Sequence, residues 1–258
     1  MANPLIEARV LFENQEARTL HADGLTNALA GRFDDAQELF RAAQEALSVD
    51  PLTLDRTVQA ARITRDSGFT WLRAAIAAPE NDTPAVLAKA RDTLDSSRHV
   101  TKESLTNPPP ASYERPSGLS TRRARRETWA EHGETLSLLG RLGTAHAVLL
   151  PSDSSKESPS TAAYVNNSPH YYQLAHNALI AGNNGYYRVS NALAAARDAR
   201  INQHRPDSAE WAARAAVGLA WTAMRDPQHL VAAARTTANR ARDLRNPQAA
   251  QASVLARP

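Results

Sequence analysis

The stretch that decides the predicted fold is Leu20–Pro51, LHADGLTNALAGRFDDAQELFRAAQEALSVDP. In its first half, Gly24, Ala28 and Gly31 are small enough to let one helix approach another closely. The segment from Gly31 to Ala36 then ends one helix and starts the next, because its two aspartates stand in a first turn, where the helix dipole favours acids. Apolar residues recur at helical spacing through the second half, at Ala36, Leu39, Phe40, Ala43 and Leu47. This pattern predicts a helical hairpin whose apolar stripe needs a packing partner.

The hairpin resembles the tetratricopeptide repeat, a helix pair with large, small, glycine, aromatic and alanine positions at fixed spacing and a proline at its end. The matching positions here are Leu20, Gly24, Gly31, Phe33, Ala36, Phe40, Ala43 and Pro51. About one extra helical turn precedes the proline. The resemblance implies an all-α fold, a right-handed array of antiparallel helix pairs that forms a TPR-like α-solenoid.

A repeat architecture requires that the spacing recurs along the chain. The spacing does recur, but the later copies match it at fewer positions. A second copy holds Trp129, Gly133, Leu136, Gly140, Leu142, Ala145, Leu149 and Pro151. A third holds Tyr171, Ala175, Ala178 and Gly182, with a longer turn before Tyr187, Val189 and Leu193. Fainter copies keep Ala61 and Gly68, and then Ala220, Pro227 and Ala232. Because small residues coincide easily in alanine-rich sequence, an ordinary bundle of unrelated helices is the alternative.

The repeat pattern also predicts where helices end. Gly68 is expected to form a turn between two helices, Leu52–Arg65 and Phe69–Ala77. Gly140 is expected just before a second turn, which separates the helices Leu119–Leu139 and Thr144–Leu150. A helix that starts near Thr83 has no counterpart in the pattern. Another begins at Ser168-Pro169, ends near Ala181 and is expected to pair with Gly185–Asn202.

A proline-rich run divides the chain. The sequence NPPPASYERPSG has no helical periodicity and predicts a loop or hinge. We therefore expect an N-terminal helical half over residues 1–105, a proline-rich loop over 106–118, a C-terminal helical half over 119–246 and a disordered tail over 247–258.

Composition excludes several kinds of chemistry. The 258-residue chain has no cysteine, which rules out disulfides, thiolate metal sites and a cysteine nucleophile. No apolar run approaches the roughly 20 residues of a membrane span, and the first residues do not read as a signal peptide, so a cytoplasmic location is expected. Net charge is +3, and all but three of the 30 basic residues are arginines, a bias typical of a GC-rich bacterial genome.

No short catalytic signature is present. The eight histidines form neither H-E-x-x-H nor E-x-x-H, and the nucleophile-elbow, P-loop and dinucleotide-binding patterns do not occur. We therefore expect a protein that is not an enzyme and has no cofactor or metal site, with an all-helical enzyme that lacks a recognisable motif as an alternative.

The resemblance implies a function in binding. Arrays of the tetratricopeptide family bind peptides or partner proteins in a concave groove lined by the first helix of each pair, so the leading prediction is a protein- or peptide-binding adaptor. Helical phase assigns to that groove His21, Leu25, Gln59, Arg62, Arg65, Glu131, Glu134, Tyr172, Gln173, His176 and Trp221. For any one of these, plain exposure or packing against the next helix is the competing interpretation.

A basic run suggests another partner. Arg122, Arg123, Arg125 and Arg126 could bind an anionic partner, because clustered guanidinium groups neutralise phosphates and form bidentate contacts. The alternative prediction is therefore a bacterial regulatory protein that contacts nucleic acid through this patch, although no helix-turn-helix segment is evident. Without interleaved aromatic residues, the same run also fits a solvated helix end or a site for an acidic protein.

Overall fold

The computed structural model describes residues 14–49, 52–109, 119–150, 159–203 and 208–235. Its helices are α1 (Gln15–Leu29), α2 (Phe33–Ser48), α3 (Leu54–Ala77), α4 (Thr83–Thr106), α5 (Leu119–Leu149), α6 (Pro159–Ala181), α7 (Gly185–Ile201), α8 (Ser208–Arg225) and α9 (residues 227–235). Because the regular elements in these ranges are all helices, the all-α prediction is confirmed. None of the described helices is both long and apolar enough to cross a lipid bilayer.

Local sequence explains where several helices begin. The side chains of Asn14, Thr53 and Asn184 accept hydrogen bonds from backbone N–H groups in the first turns of α1, α3 and α7. Such caps satisfy donors that a helix leaves without partners at its N-terminus. Between α1 and α2, Gly31 has a φ of 80°, a conformation that a side chain disfavours, so this glycine forms the predicted turn.

The helices pack as consecutive antiparallel pairs, α1 with α2, α3 with α4, α5 with α6, and α7 with α8. The first helices of successive pairs also touch one another, α1 with α3, α3 with α5 and α5 with α7. Each second helix contacts the first helix of the next pair. We refer below to α1, α3, α5 and α7 as the first helices.

Glycines allow the two helices of a pair to approach. A Cβ atom at Gly24 would lie 2.7 Å from Phe40 Cε1, and a Cβ atom at Gly68 would lie 2.7 Å from Leu94 Cγ. In the third pair, a Cβ atom at Gly133 would lie 2.6 Å from Leu179 Cγ. These distances are shorter than side-chain contacts allow, so a bulky residue of the second helix occupies the space that each glycine leaves.

Two predicted helix breaks are wrong. Gly68 lies inside the continuous helix α3, and Gly140 lies inside the continuous helix α5, where Tyr172 packs on it. In both cases glycine serves close packing within a helix and forms no turn. Because α3 is one continuous helix, the helix that starts at Thr83 takes the place of a second helix in a pair: it is α4, the packing partner of α3.

The pairing predicted for the C-terminal half is shifted by one helix. α6 begins at Pro159 and carries Pro169 in its interior, so Ser168 does not cap it as expected. Ser168 instead donates a hydrogen bond to the Gly140 carbonyl of α5. α6 is the second helix of the α5 pair, and α7 starts a new pair with α8.

The largest hydrophobic cluster is shared by α3, α4, α5 and α6. It includes Leu87 and Leu94 before the proline-rich run and Leu139 and Leu142 after it, all fully buried. Helices from both predicted halves therefore build one core. The predicted loop beyond residue 109, the predicted tail and the N-terminal 13 residues lie outside the described part of the chain.

Substitution of a packed glycine and an open one should have opposite effects. Gly133→Ala should lower the free energy of unfolding by about 1–3 kcal/mol, because its Cβ would clash with Leu179 and come within 3.2 Å of the Ala175 carbonyl oxygen. Gly218→Ala, in α8, meets no atom within 4 Å and should raise stability by about 0.5–1 kcal/mol through helix propensity. Urea titration of both variants checks this, and equal effects would contradict the packing role of Gly133.

Candidate functional site

A cluster of charged side chains joins the four first helices. We call it the ion cluster, and its members are His21 of α1, Arg62, Arg65 and Asp66 of α3, Glu131 of α5 and Tyr187 of α7. Arg65 and Glu131 are almost completely buried, with 6% and 2% of their surface exposed. Buried charges are costly unless they are paired, so the geometry of this cluster decides its stability.

Arg65 stands at the centre of the ion cluster. Its Nε and Nη2 atoms donate to Asp66 Oδ1 at 2.9 and 2.8 Å, and its Nη1 atom donates to Glu131 Oε2 and, at 3.3 Å, to the Tyr187 hydroxyl. Its guanidinium carbon also lies 5.6 Å from the centre of the Tyr187 ring. One side chain thus contacts groups from three of the first helices.

Two further contacts complete the ion cluster. Arg62 Nε donates to the second carboxylate oxygen of Glu131 at 2.9 Å. His21 Nε2 lies 2.9 Å from Asp66 Oδ2, which connects α1 to the cluster. Both carboxylates therefore have partners on both oxygens, and each guanidinium has at least one carboxylate.

Pairing outweighs burial for the charges of α3. Burial disfavours the charged form of Arg65 and is the largest single effect, yet Asp66 and Glu131 together hold the pKa of Arg65 well above its ordinary value. Burial likewise acts to raise the pKa of Asp66, but Arg65 and His21 hold it below its ordinary value. These groups remain charged across the physiological pH range.

Glu134, one turn after Glu131, lacks such pairing. Its Oε2 atom is buried without a hydrogen-bond partner among the described residues, as are Ser137 Oγ and Arg141 Nε on the same side of α5. Burial raises the pKa of Glu134 to about 7, against the opposing effect of Arg141 and Arg65. Glu134 therefore changes its charge near neutral pH.

A second polar and aromatic site lies between α6, α7 and α8. The enclosed part of this C-terminal cleft has a volume of about 30 Å³. Its walls include Tyr172, Gln173 and His176 from α6, Asn191 from α7, and Trp211, Arg214 and Gly218 from α8. An N-terminal cleft in the corresponding position, between α2, α3 and α4, is lined by residues that include Phe40 and Trp71.

Asn191 brings an unsatisfied acceptor to the C-terminal cleft. Its Nδ2 atom donates to the Tyr172 carbonyl at 3.2 Å, while its Oδ1 atom has no partner in the described structure. Only 3% of the residue surface of Asn191 is exposed. A buried carbonyl oxygen without a donor costs free energy, so a donor from a bound molecule would be favourable here.

Aromatic stacking extends the C-terminal cleft towards the end of α8. The rings of His176 and Trp221 meet edge to face with centroids 4.7 Å apart. Arg188 lies beneath, with its guanidinium carbon 5.9 Å from the Trp221 ring and two hydrogen bonds of 2.7 Å to Asp226. Burial lowers the pKa of His176, with a smaller effect from Arg188, so this ring is neutral at neutral pH.

The predicted groove residues fall into two groups. The structure brings His21, Arg62, Arg65 and Glu131 together, where they bind one another, and their contact with a partner stays a prediction. Gln59 is also closed, since it exchanges hydrogen bonds with the backbone of Asn14. Leu25 packs against the core cluster of α1 and α2.

Of the remaining predicted residues, Glu134 lies buried on the first helix α5, whereas Tyr172, Gln173 and His176 line the C-terminal cleft and Trp221 stacks beside it, all four on second helices. Tyr172 is not an exposed anchor, because 5% of its surface is exposed, its ring packs on Gly140 and its hydroxyl donates to Asp198. Gln173 is exposed, and His176 and Trp221 are half-buried. Their position differs from the prediction because α6 is the second helix of its pair.

Sequence reasoning missed Asn191, Trp211, Arg214 and Gly218. The signal that could have found the cleft is Gly218, an isolated glycine in the interior of an alanine-rich helix. Such a glycine costs helix stability and calls for a packing or functional reason. No short pattern distinguishes Asn191 from any other helical asparagine.

The predicted basic patch is accessible. Arg122, Arg123, Arg125 and Arg126 are all exposed near the start of α5, and Arg123 forms an i,i+4 pair with Glu127 at 3.0 Å.

As for metal binding, no group of three potential ligands is found within the described ranges.

No family model, curated protein or solved structure matches this chain.

Removal of the central guanidinium should destabilise the fold strongly. Arg65→Ala leaves Asp66 and Glu131 buried with fewer partners and should lower the free energy of unfolding by about 3–5 kcal/mol. Arg123→Ala removes an exposed ion pair and should cost no more than about 1 kcal/mol. Chemical denaturation measures both, and a similar small loss in the two variants would contradict a structural role for the ion cluster.

Glu134 should make stability depend on pH. Because its pKa rises from 4.5 to about 7 on folding, the folded state binds more protons than the unfolded state between these values, so its contribution to stability falls as pH rises through that window. Relative to Glu134→Gln, the wild-type protein should therefore lose unfolding free energy from about pH 4.5 to about pH 7. The comparison is needed because His132 and His146, whose pKa values burial lowers to about 4, act in the opposite direction.

The control is Glu45→Gln on the exposed side of α2, which should leave the pH profile unchanged. A Glu134→Gln profile parallel to that of the wild type would contradict the assignment.

Proposed function

We propose that the chain is a non-enzymatic binding module, a TPR-like right-handed array of antiparallel helix pairs that binds a protein or peptide partner. The observation that carries the proposal is the C-terminal cleft, where predicted partner residues Gln173 and His176 lie with Trp211 and an unsatisfied acceptor on Asn191, and His176 stacks on Trp221.

The packing of the helices supports the array. Successive first helices touch one another, and glycine-to-bulky-residue contacts recur in the α1–α2, α3–α4 and α5–α6 pairs. Recurrent contacts between neighbouring helix pairs are what a repeat architecture requires, since each pair buries its apolar face against the next.

The chemistry of the cleft suggests what it binds. The enclosed space of the cleft, about 30 Å³, holds no more than a few water molecules, so a partner would lie across its open rim. Trp211 supplies an aromatic wall, and Asn191 Oδ1 can accept one hydrogen bond. The partner is therefore a peptide segment that places an apolar or aromatic side chain beside Trp211 and a backbone or amide N–H near Asn191.

Gly218 supports close approach of such a segment. A side chain at this position would point into open space beside the cleft. A glycine lets a partner backbone come nearer to the α8 helix than any other residue does. Gly218 lowers the stability of α8, and on this proposal the benefit that offsets the loss is access for the partner.

A selection experiment tests the proposal. A displayed library of random peptides is selected on the immobilised protein, and the recovered peptides are titrated by calorimetry against the wild type, Gly218→Leu and Ala22→Leu. Gly218→Leu places a side chain at the rim of the cleft, where a partner would approach, and should weaken binding at least tenfold, whereas Ala22→Leu adds the same side chain at an exposed position on α1 and should change nothing.

Two outcomes would count against this function. Failure to recover any peptide that binds would remove the support for a peptide site. Peptides that bind Gly218→Leu as tightly as the wild type would show that binding takes place elsewhere.

The nucleic-acid alternative makes a different prediction. If the exposed arginines of α5 bind phosphates, affinity for a DNA duplex should fall steeply with salt, and Arg122→Glu with Arg125→Glu should abolish binding. The cleft variant Gly218→Leu should leave DNA binding unchanged, so the two functions are separable.

A further inference from the structure

The N-terminal cleft has much more room than the C-terminal one. Its volume is about 620 Å³, and it is open to solvent, whereas the enclosed part of the C-terminal cleft measures about 30 Å³. Ligand sites in proteins usually have volumes of about 300–1,000 Å³. The N-terminal cleft can therefore hold a ligand, and the proposed function makes no use of it.

The N-terminal cleft is a groove that runs along α3. This helix packs against both α2 and α4, and it contributes Ala60, Thr64, Ser67 and Trp71 to the lining. Residues three and four positions apart lie on one side of a helix, so these four form a row. At a rise of 1.5 Å per residue the row is about 16 Å long. An extended peptide advances about 3.3 Å per residue, so the groove matches about five residues.

Hydrogen bonds hold the α2 wall of the groove against α3. Gln37 Nε2 donates to the Ser67 carbonyl at 3.1 Å, and Ser67 Oγ donates to Gln37 Oε1 at 2.5 Å. Further along, Gln44 Nε2 donates to Thr64 Oγ1 at 2.8 Å. The wall is therefore formed before a ligand arrives, which lowers the conformational cost of binding.

Polar groups on both walls have hydrogen-bonding capacity to spare. Within the described part of the chain, Gln44 Oε1 and the Arg41 guanidinium on α2 and Ser96 Oγ on α4 have no hydrogen-bond partner. These groups are an acceptor, a set of donors, and a hydroxyl that can both donate and accept. A peptide backbone offers both a donor and an acceptor at every residue except proline, so it can bind to both walls.

The groove carries positive charge that no carboxylate neutralises. Although Glu38 and Glu45 lie one turn away on either side of Arg41, neither Arg41 nor Lys89 of α4 forms an ion pair among the described residues. The Lys89 ammonium lies 4.5 Å from the centre of the Trp71 ring. Asp92, an acid on the α4 wall, is already paired with Arg91 at 2.8 Å. A ligand that brings a carboxylate is therefore favoured.

We propose that the N-terminal cleft binds an acidic peptide segment in extended conformation. Its backbone bonds to Gln44 and Ser96, and its carboxylate side chains are directed to Arg41 and Lys89. The site is built from α2, α3 and α4, whereas the proposed peptide site is built from α6, α7 and α8, so either can fail without the other.

The groove suits other polymers less well. In helical geometry a nucleic-acid strand carries one phosphate per roughly 3.4 Å, which gives about five phosphates over this length against two unpaired cations. Stacking of a base or a sugar ring on Trp71 is hindered. The Lys89 ammonium lies over the Trp71 ring, and the ring packs against the largest hydrophobic cluster.

Selection from peptide libraries tests the ligand. Two displayed heptapeptide libraries are selected on the full-length protein, one with glutamate and one with glutamine fixed at the central position, and with random uncharged residues elsewhere. The glutamate library should yield the binders. Changing the central glutamate of a recovered peptide to glutamine should weaken its binding at least tenfold, as measured by calorimetry.

Substitutions on the two walls test the location. Arg41→Gln removes a charge and Ser96→Tyr places a ring in the groove, and each should weaken binding of the recovered glutamate peptides at least tenfold. Arg18→Gln and Ala22→Tyr are matched changes at exposed positions on α1 and should bind like the wild type, as should Gly218→Leu. Arg41 and Ser96 are also exposed, so melting temperatures should stay near that of the wild type.

Several results would overturn the proposal. Glutamate and glutamine peptides of equal affinity would do so, as would full affinity in Ser96→Tyr. Loss of affinity in Gly218→Leu alone would assign the peptides to the C-terminal cleft and support the proposed function instead. Binding of oligo-dT or of a maltooligosaccharide that Ser96→Tyr abolishes, without any peptide binding, would show that the groove serves another polymer.

Discussion

The interaction between Arg65 and the carboxylates of Asp66 and Glu131 constrains the arrangement of the first helices. Transfer of a guanidinium and two carboxylates out of water is unfavourable by itself, and it is offset only when the hydrogen bonds are complete. Here the acceptors come from α3 and α5, and Tyr187 and His21 bring in α7 and α1. A shift of any first helix would leave a buried charge without a partner, so the ion cluster fixes their relative positions.

The glycine contacts constrain the same helices in another direction. The ion cluster sets how the first helices lie beside one another, whereas Gly24, Gly68 and Gly133 set how closely each second helix approaches. In α1 the two meet, because the His21 ring lies 5.7 Å from the Phe40 ring that packs on Gly24. Apolar packing alone would tolerate small shifts of these helices, whereas the paired charges and the glycine contacts together limit them.

Much of the fold could be predicted from the sequence, because helical periodicity and capping are local. The bounds of α7 agree with prediction to within one residue. Gly68 and Gly140 were misassigned because a glycine has the same local appearance at a turn as at a close helix contact. Only the residue that packs on it, Leu94 or Tyr172, distinguishes the two, and that residue is distant in sequence.

The candidate site shows the same division between local and distant information. Helical phase placed His21, Arg62 and Glu131 on one side of the first helices, and the structure brings them together, but helical phase could not show that opposite charges on neighbouring helices pair there. Orphan polar atoms of buried side chains follow no such local rule. Within the described ranges they are found at Glu134, Ser137, Arg141, His146, Asn191 and Asn202, all of which lie in α5 or later in the chain.

This uneven distribution of unsatisfied groups supports a binding role for the C-terminal helices. In α1 to α4 the buried polar side chains are satisfied within the chain, as the contacts of Gln59 and Ser97 illustrate. In α5 to α8 several are not, and Asn191 opens onto a cleft with aromatic walls. A folded protein that leaves buried acceptors without donors gains more from a bound molecule that supplies them than from one that only covers apolar surface. The unsatisfied atoms belong to Glu134, Ser137, Arg141 and His146 of α5 and to Asn191 and Asn202 in or next to α7, so internal hydrogen bonding is incomplete from α5 onward and not at the C-terminal cleft alone.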